Sequence, residues 1–298
     1  MFVVGLVLLT FLGWRFGFRN LAGLIQGAAP VPLLLMAALI VAGFWIRAWK
    51  WHYALGRGQQ GVLLFFLAKT AGNWTPGRAG ELAPLLLQRH RNARVAAWIG
   101  LDRVVEIAWT LGLGVLGVAA LGMLPLPLAV GLVAIAALLS GLAWWWCARA
   151  GESQAPANAT GTWRERLGRL VARLREELAL FGRKMPLIML LTATAKLTDV
   201  YAVILLCDAF GYGVSFLLVC AARCAHGLVS AIPLTPDATG VPFVAAAWLL
   251  HEQAGVPYDT LTAALGLEVL AINAILWACF CLVSGLRMTT TPNGPRTP

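Results

Sequence analysis

Apolar stretches long enough to cross a bilayer recur along almost the whole chain, and no other feature limits its fold as much. One helical crossing needs roughly 20 apolar residues, and stretches of that kind run at 31–51, 95–122, 126–147, 185–207 and 260–286. A shorter apolar segment at 1–12 brings the expected number of crossings to six. Of the 298 residues, 60% are hydrophobic and 12% charged, with a mean hydropathy of +0.78, well outside ordinary soluble composition. These spans leave no room for a sizeable soluble domain. The first segment lacks the basic flank and small-residue cleavage site of a signal peptide, so it is expected to be a retained helix, with Trp14 and Arg15 at the interface.

The net charge of +10 gives orientation, not a nucleic-acid site. Basic residues fall in short loops between apolar spans, where the positive-inside rule puts them. The loop at 148–184 carries Arg149, Arg164, Arg166, Arg169, Arg173, Arg175, Arg183 and Lys184, which makes it cytoplasmic. Counting back, the neutral turn at 123–125 is outside, the basic stretch 88–94 inside, and the loop with Lys50 and Arg57 inside. Counting forward, 208–213 is outside and the tail with Arg287 and Arg296 inside. The expectation is a multi-pass protein of a bacterial-type cytoplasmic (inner) membrane, with both termini cytoplasmic.

Two segments then enter and leave by the same face. Residues 61–87 are too few for two crossings and break at Thr75-Pro76, while residues 214–250 break at Thr235-Pro236. Both breaks spell Thr-Pro-x-x-x-Gly, ending at Gly80 and Gly240. The predicted fold is therefore all-α: a polytopic membrane protein of six transmembrane helices plus two re-entrant broken hairpins, arranged as an inverted repeat. The first repeat is 1–122 and the second 123–286, the second containing the cytoplasmic loop and an interfacial helix at 148–184; a cytoplasmic tail follows at 287–298. Inverted repeats place substrate sites at the repeat interface near the midplane. Irregular backbone is tolerated there only where protein or a water-filled cavity satisfies it.

Ionisable groups inside apolar segments are costly and mark function. Asn73, Arg78 and Glu81 flank the first tip, and Asp102, Arg103 and Glu106 follow in the next span. Asp102 and Glu106, four apart, share a helix face and are expected to look into one cavity, with Arg103 turned about 100° away. An ion-pair network that only locks helices together is the competing expectation. In the second half, Lys196 and Asp199 stand at the spacing of a simple self-neutralising pair. Arg223 and His226 have no acid at helical spacing, which leaves both to meet an anion or Asp237. The substrate-binding set is thus Asn73, Arg78, Glu81, Asp102, Arg103, Glu106, Arg223, His226 and Asp237. No metal or cofactor is expected, since no ligand spacing accompanies His226 and the six cysteines read as packing residues. The amphipathic stretch 163–181 is expected either to lie on anionic headgroups or to pack on the bundle as a connector.

The stretch Asn73-Trp74-Thr75-Pro76-Gly77-Arg78-Ala79-Gly80-Glu81, then Asp102-Arg103-Val104-Val105-Glu106, with Arg47-Ala48-Trp49-Lys50-Trp51 before them, resembles the lysylphosphatidylglycerol synthase transmembrane-region family over nearly the whole chain. In the late tip, Asp237, Ala238 and Thr239 replace the family's glycine-rich turn, and Phe243 stands where an acid is usual. With no aminoacyltransferase segment after the last span, the resemblance implies a stand-alone member. It further implies translocation of a phospholipid, aminoacylated lipid, polyprenyl-linked or hopanoid-type lipid, and no enzymatic step. The implied partners are a lipid with an anionic headgroup and the membrane. The alternatives are an accessory subunit with a lipid-modifying enzyme as its partner, or an intramembrane lipid transferase.

Overall fold

The computed structural model describes residues 18–56, 60–75, 79–87, 92–149, 163–230 and 241–290. Among them there are helices and turns but no strand. In chain order the helices are α1 (Phe18–Gly27), α2 (Pro30–Leu55), α3 (Gly61–Trp74), a 3-10 turn (Ala79–Leu82), α4 (Ala83–Leu87), α5 (Asn92–Ala120), α6 (Leu126–Arg149), α7 (Trp163–Gly182), α8 (Met185–Ala209), α9 (Phe216–Ser230), α10 (Val241–Ala254) and α11 (Tyr258–Thr290). The expected first crossing at 1–12 lies outside the described residues.

Among the described residues four helices are long and apolar enough to cross a membrane: Pro30–Leu55, Ala93–Ala120, Met185–Ala209 and Tyr258–Gly285. At about 1.5 Å per residue each exceeds the roughly 30 Å hydrocarbon layer. Helix α6 is of similar length, with Arg149 as its one charged residue. By contrast α3, α9 and α10 have 14, 15 and 14 residues, too short for a crossing. They end or begin at the intervals where Thr75-Pro76 and Thr235-Pro236 interrupt the sequence, as proline's missing N–H and the extended bias of the preceding residue require.

Exposure is inverted relative to a soluble protein. Leu86 is 84% exposed and Leu34 70%, whereas Lys50 is 0% and Arg47 8%. Lipid tails solvate leucine as well as a protein core does, so leucine stands on the outside as well as in the core, while Arg47, Lys50, Glu81, Asp102 and Glu106 are buried. One apolar cluster joins α2, α8, α9, α10 and α11 around Met36, Leu206, Leu218 and Leu250. A second joins α2, α3, α5 and the α7–α8 corner around Trp51, Phe65, Trp98 and Phe181.

The contacts between helices follow a regular scheme. Helix α2 packs most extensively on α8; α5 packs on α9 and α3 on α11; α6 packs on α5 and α1 on α11; α3 lies against α2 and α9 against α8. Exchanging α1, α2, α3 and α5 for α6, α8, α9 and α11 maps the α2–α8 contact onto itself and each of the others onto another in the set. Close approach of α5 and α9 depends on glycine, because a Cβ at Gly114 or Gly117 would overlap Cys224 or the Leu217 carbonyl.

Helix α7 stands outside the scheme and rests on α5 and α6. Of its two expected settings, the C-terminal half adopts the packed one, with Phe181 buried and Leu174 and Leu178 against the second cluster. Lys184, expected as a loop charge, donates to the Tyr53 and Ala54 carbonyls at 2.8 and 3.0 Å, closing the C-terminal end of α2. Lys50 departs further from expectation. Assigned from sequence to a cytoplasmic loop, it lies inside α2, which continues to Leu55.

Candidate functional site

A cavity of about 660 Å³ lies among α2, α3, the 3-10 turn, α5, α8, α9 and α11. Both halves of the chain contribute to its wall. The charged groups on the wall are Arg47, Lys69, Glu81, Arg103, Glu106, Lys196, Asp199, Arg223 and Glu268, with Asn73 and His226 beside them and Phe44, Ile107 and Leu111 among the apolar lining.

Local chemistry of the first break explains how Glu81 comes to face this space. Thr75 leaves the helix in an extended conformation, and its hydroxyl donates to the Ala71 carbonyl at 3.1 Å. The same oxygen accepts the Gly80 N–H at 2.6 Å. One side chain therefore terminates α3 and anchors the returning strand of backbone. Gly80 is required there, since a Cβ would overlap the Ala71 carbonyl, and at Gly72 a Cβ would overlap the Glu81 side chain. The carboxylate is thereby folded back over the last turns of α3.

Among the described residues, every ion pair but Arg223–Glu268 belongs to one continuous network. Glu81 pairs with Arg103 and, at 3.3 Å, with Lys69. Glu106 is the hub: Arg103 lies at 3.3 Å, and Arg47, Lys50 and Lys69 each at 3.7 Å. Arg47 reaches across to Asp199 at 2.5 Å, joining α2 to α8. Behind the hub, Lys50 pairs with Asp102 and donates to the Thr192 hydroxyl at 3.2 Å. Asp102 also accepts the Trp51 indole N–H at 2.9 Å. Farther along the wall, Arg223 pairs with Glu268.

Several expectations about single residues are corrected. Asp102 and Glu106 do share a face, but Asp102 is not on the cavity wall; Lys50 and Trp51 hold it behind. Arg103 is not turned aside, because its long side chain bends to both Glu81 and Glu106. Asp199 is not spent on Lys196, its neighbour along the helix, but on Arg47 of α2. Arg223 does meet an acid, Glu268, brought by α11 from forty-five residues away. Asn73, Glu81, Arg103, Glu106, Arg223 and His226 are gathered on one cavity, while Arg78 and Asp237 lie outside the described residues. Lys196, Asp199 and Glu268 of the wall stood outside the expected binding set, and Arg47, Lys50 and Lys69 were missed as site residues. A signal existed for the latter three: Arg47 and Lys50 stand three apart on one face, and Lys69 is the only charged residue of α3.

Lys196 differs from the other cations. It feels Glu106 and Asp199 electrostatically, yet among the described residues no carboxylate comes within ion-pair distance of it. Nor do three His, Cys, Asp or Glu side chains gather among these residues in a way that could hold a metal ion.

The arrangement of a charged cavity inside an apolar bundle matches what the sequence motifs carry. The family model for the lysylphosphatidylglycerol synthase TM region matches residues 2–267. The chain belongs to this family. Membership makes it a multi-pass membrane protein with a lipid-related function. The stretches that carried the resemblance supply Glu81, Arg103, Glu106, Arg47 and Lys50 of the network. Comparisons with curated proteins and with solved structures found no match.

Proposed function

We propose that the protein carries a lipid headgroup across a bacterial-type cytoplasmic membrane through this cavity, without chemical change to the lipid. The observation that carries the reading is a 660 Å³ space whose charged wall is shared by both halves of the chain. A polar headgroup needs such a wall to leave water, and its acyl chains can stay among the exposed leucines outside. The reciprocal helix contacts support a layout of two inverted repeats, 1–122 and 123–286, with the α3–α4 and α9–α10 pairs as re-entrant hairpins and six crossings in all. Both termini are then cytoplasmic.

In this reading α2 and α8 form the fixed seam, pinned by Arg47–Asp199 and Lys50–Thr192. The hairpins swing about it. Exchange of a headgroup between Glu81, Arg103 and Arg223 requires their present partners to let go in turn, which ties substrate occupancy to movement.

The test is leaflet exchange of fluorescent phospholipids in proteoliposomes, with the lipids recovered and weighed by mass spectrometry. Faster exchange than in protein-free vesicles, with lipid masses unchanged, is expected. Lipid products of altered mass would replace the carrier by an intramembrane transferase. Exchange that appears only with a second protein added would make the chain an accessory subunit.

A further inference from the structure

Among the described residues, charge on the cavity and its backing does not balance, and the imbalance rests on Lys196. The described groups comprise six cations, Arg47, Lys50, Lys69, Arg103, Lys196 and Arg223, against five carboxylates, Glu81, Asp102, Glu106, Asp199 and Glu268. Each of these carboxylates has a cation within ion-pair distance, and each of these cations except Lys196 has a carboxylate. The two tips add Arg78 and Asp237 to the sequence, whose formal charges offset each other.

An ammonium with no carboxylate among the described residues at ion-pair distance, on a wall whose other described charges are paired, favours one added negative charge and opposes an added positive one. Among bilayer lipids the headgroup unit with a single negative charge is the phosphodiester. Phe44, Ile107 and Leu111 on the same wall suit the glycerol and first methylenes behind it, and the volume lies within the roughly 300–1,000 Å³ of ordinary ligand sites. We infer that the cavity selects a lipid whose headgroup bears one net negative charge, with Lys196 as the phosphodiester anchor, and rejects aminoacylated headgroups whose net charge is positive. This rests on the carrier reading for its physiological meaning but is measurable as binding alone.

Phosphatidylglycerol, lysylphosphatidylglycerol and inorganic phosphate are titrated against the detergent-solubilised full chain, as wild type, Lys196→Gln and Lys196→Arg, each checked for monodisperse elution. Phosphatidylglycerol is expected to bind about tenfold or more tighter than the lysylated lipid. Lys196→Gln should erase that preference and Lys196→Arg keep it, because a guanidinium still offers charge-assisted hydrogen bonds to phosphate. Equal or tighter binding of the lysylated lipid, or a preference untouched in Lys196→Gln, overturns the inference. Inorganic phosphate binding as tightly as the lipid, with the same dependence on Lys196, overturns the lipid assignment in favour of a free anion. Leaflet exchange on the same samples separates the two readings: absent exchange beside Lys196-dependent lipid binding removes the carrier and upholds the headgroup selectivity.

Discussion

The helix pairs α3–α4 and α9–α10 solve the same problem with unequal means. Each places a cation on its first arm against a carboxylate on the following long helix, Lys69 of α3 with Glu106 of α5 and Arg223 of α9 with Glu268 of α11. In the first half that pair is one edge of a network that also holds Arg47, Lys50, Glu81 and Arg103. Among the described residues of the second half it stands as a single bridge. A shared charge network spreads the cost of burial over many partners, so losing its hub is worse than losing an isolated pair.

That difference can be broken experimentally, starting at the hub. Glu106→Gln leaves four cations short of a carboxylate and should cost about 3–5 kcal/mol, read as loss of monodisperse yield and a lowered thermal midpoint in detergent. Glu268→Gln strands only Arg223, which keeps a contact to the Asp199 carbonyl at 3.5 Å; about 1.5–3 kcal/mol is expected by the same melting assay. If the second substitution proved the more damaging, the ranking of the two helix pairs would be reversed. Gly80→Ala drives a methyl into the Ala71 carbonyl and should destabilise by about 1–3 kcal/mol. Gly100→Ala, where nothing lies within 4 Å, serves as its neutral control. The smallest effect is expected for Thr75→Val, which removes the hydroxyl that bridges Ala71 and Gly80 and should cost about 0.5–1.5 kcal/mol, seen as faster proteolysis at the first tip.

Much of this was legible in the sequence because bilayer thickness converts apolar length directly into helices. The spans at 31–51, 95–122, 126–147, 185–207 and 260–286 each fall within a described helix or overrun it by a residue or two. Both breaks were marked by proline, and Glu81, Arg103 and Glu106 by their cost inside apolar segments. Pairing was not legible. The partners Arg47–Asp199 and Arg223–Glu268 are set by which helices cross, and one sequence carries no record of that; local spacing instead suggested Lys196–Asp199 and a free Arg223. Lys50 was misplaced for a related reason. Next to Trp49, Trp51 and His52 it looks interfacial, and only Asp102, Glu106 and Thr192, brought to it by α5 and α8, explain how an ammonium can be fully buried.

Access to the cavity tests the account most directly. In a chain with its six cysteines replaced, Thr110→Cys puts a thiol on the cavity wall, to be challenged in sealed vesicles by a membrane-impermeant maleimide from either face. The account predicts modification from both faces, with phosphatidylglycerol slowing it from each. Modification from one face only, whatever lipid is present, would contradict a site that opens alternately to the two sides of the membrane.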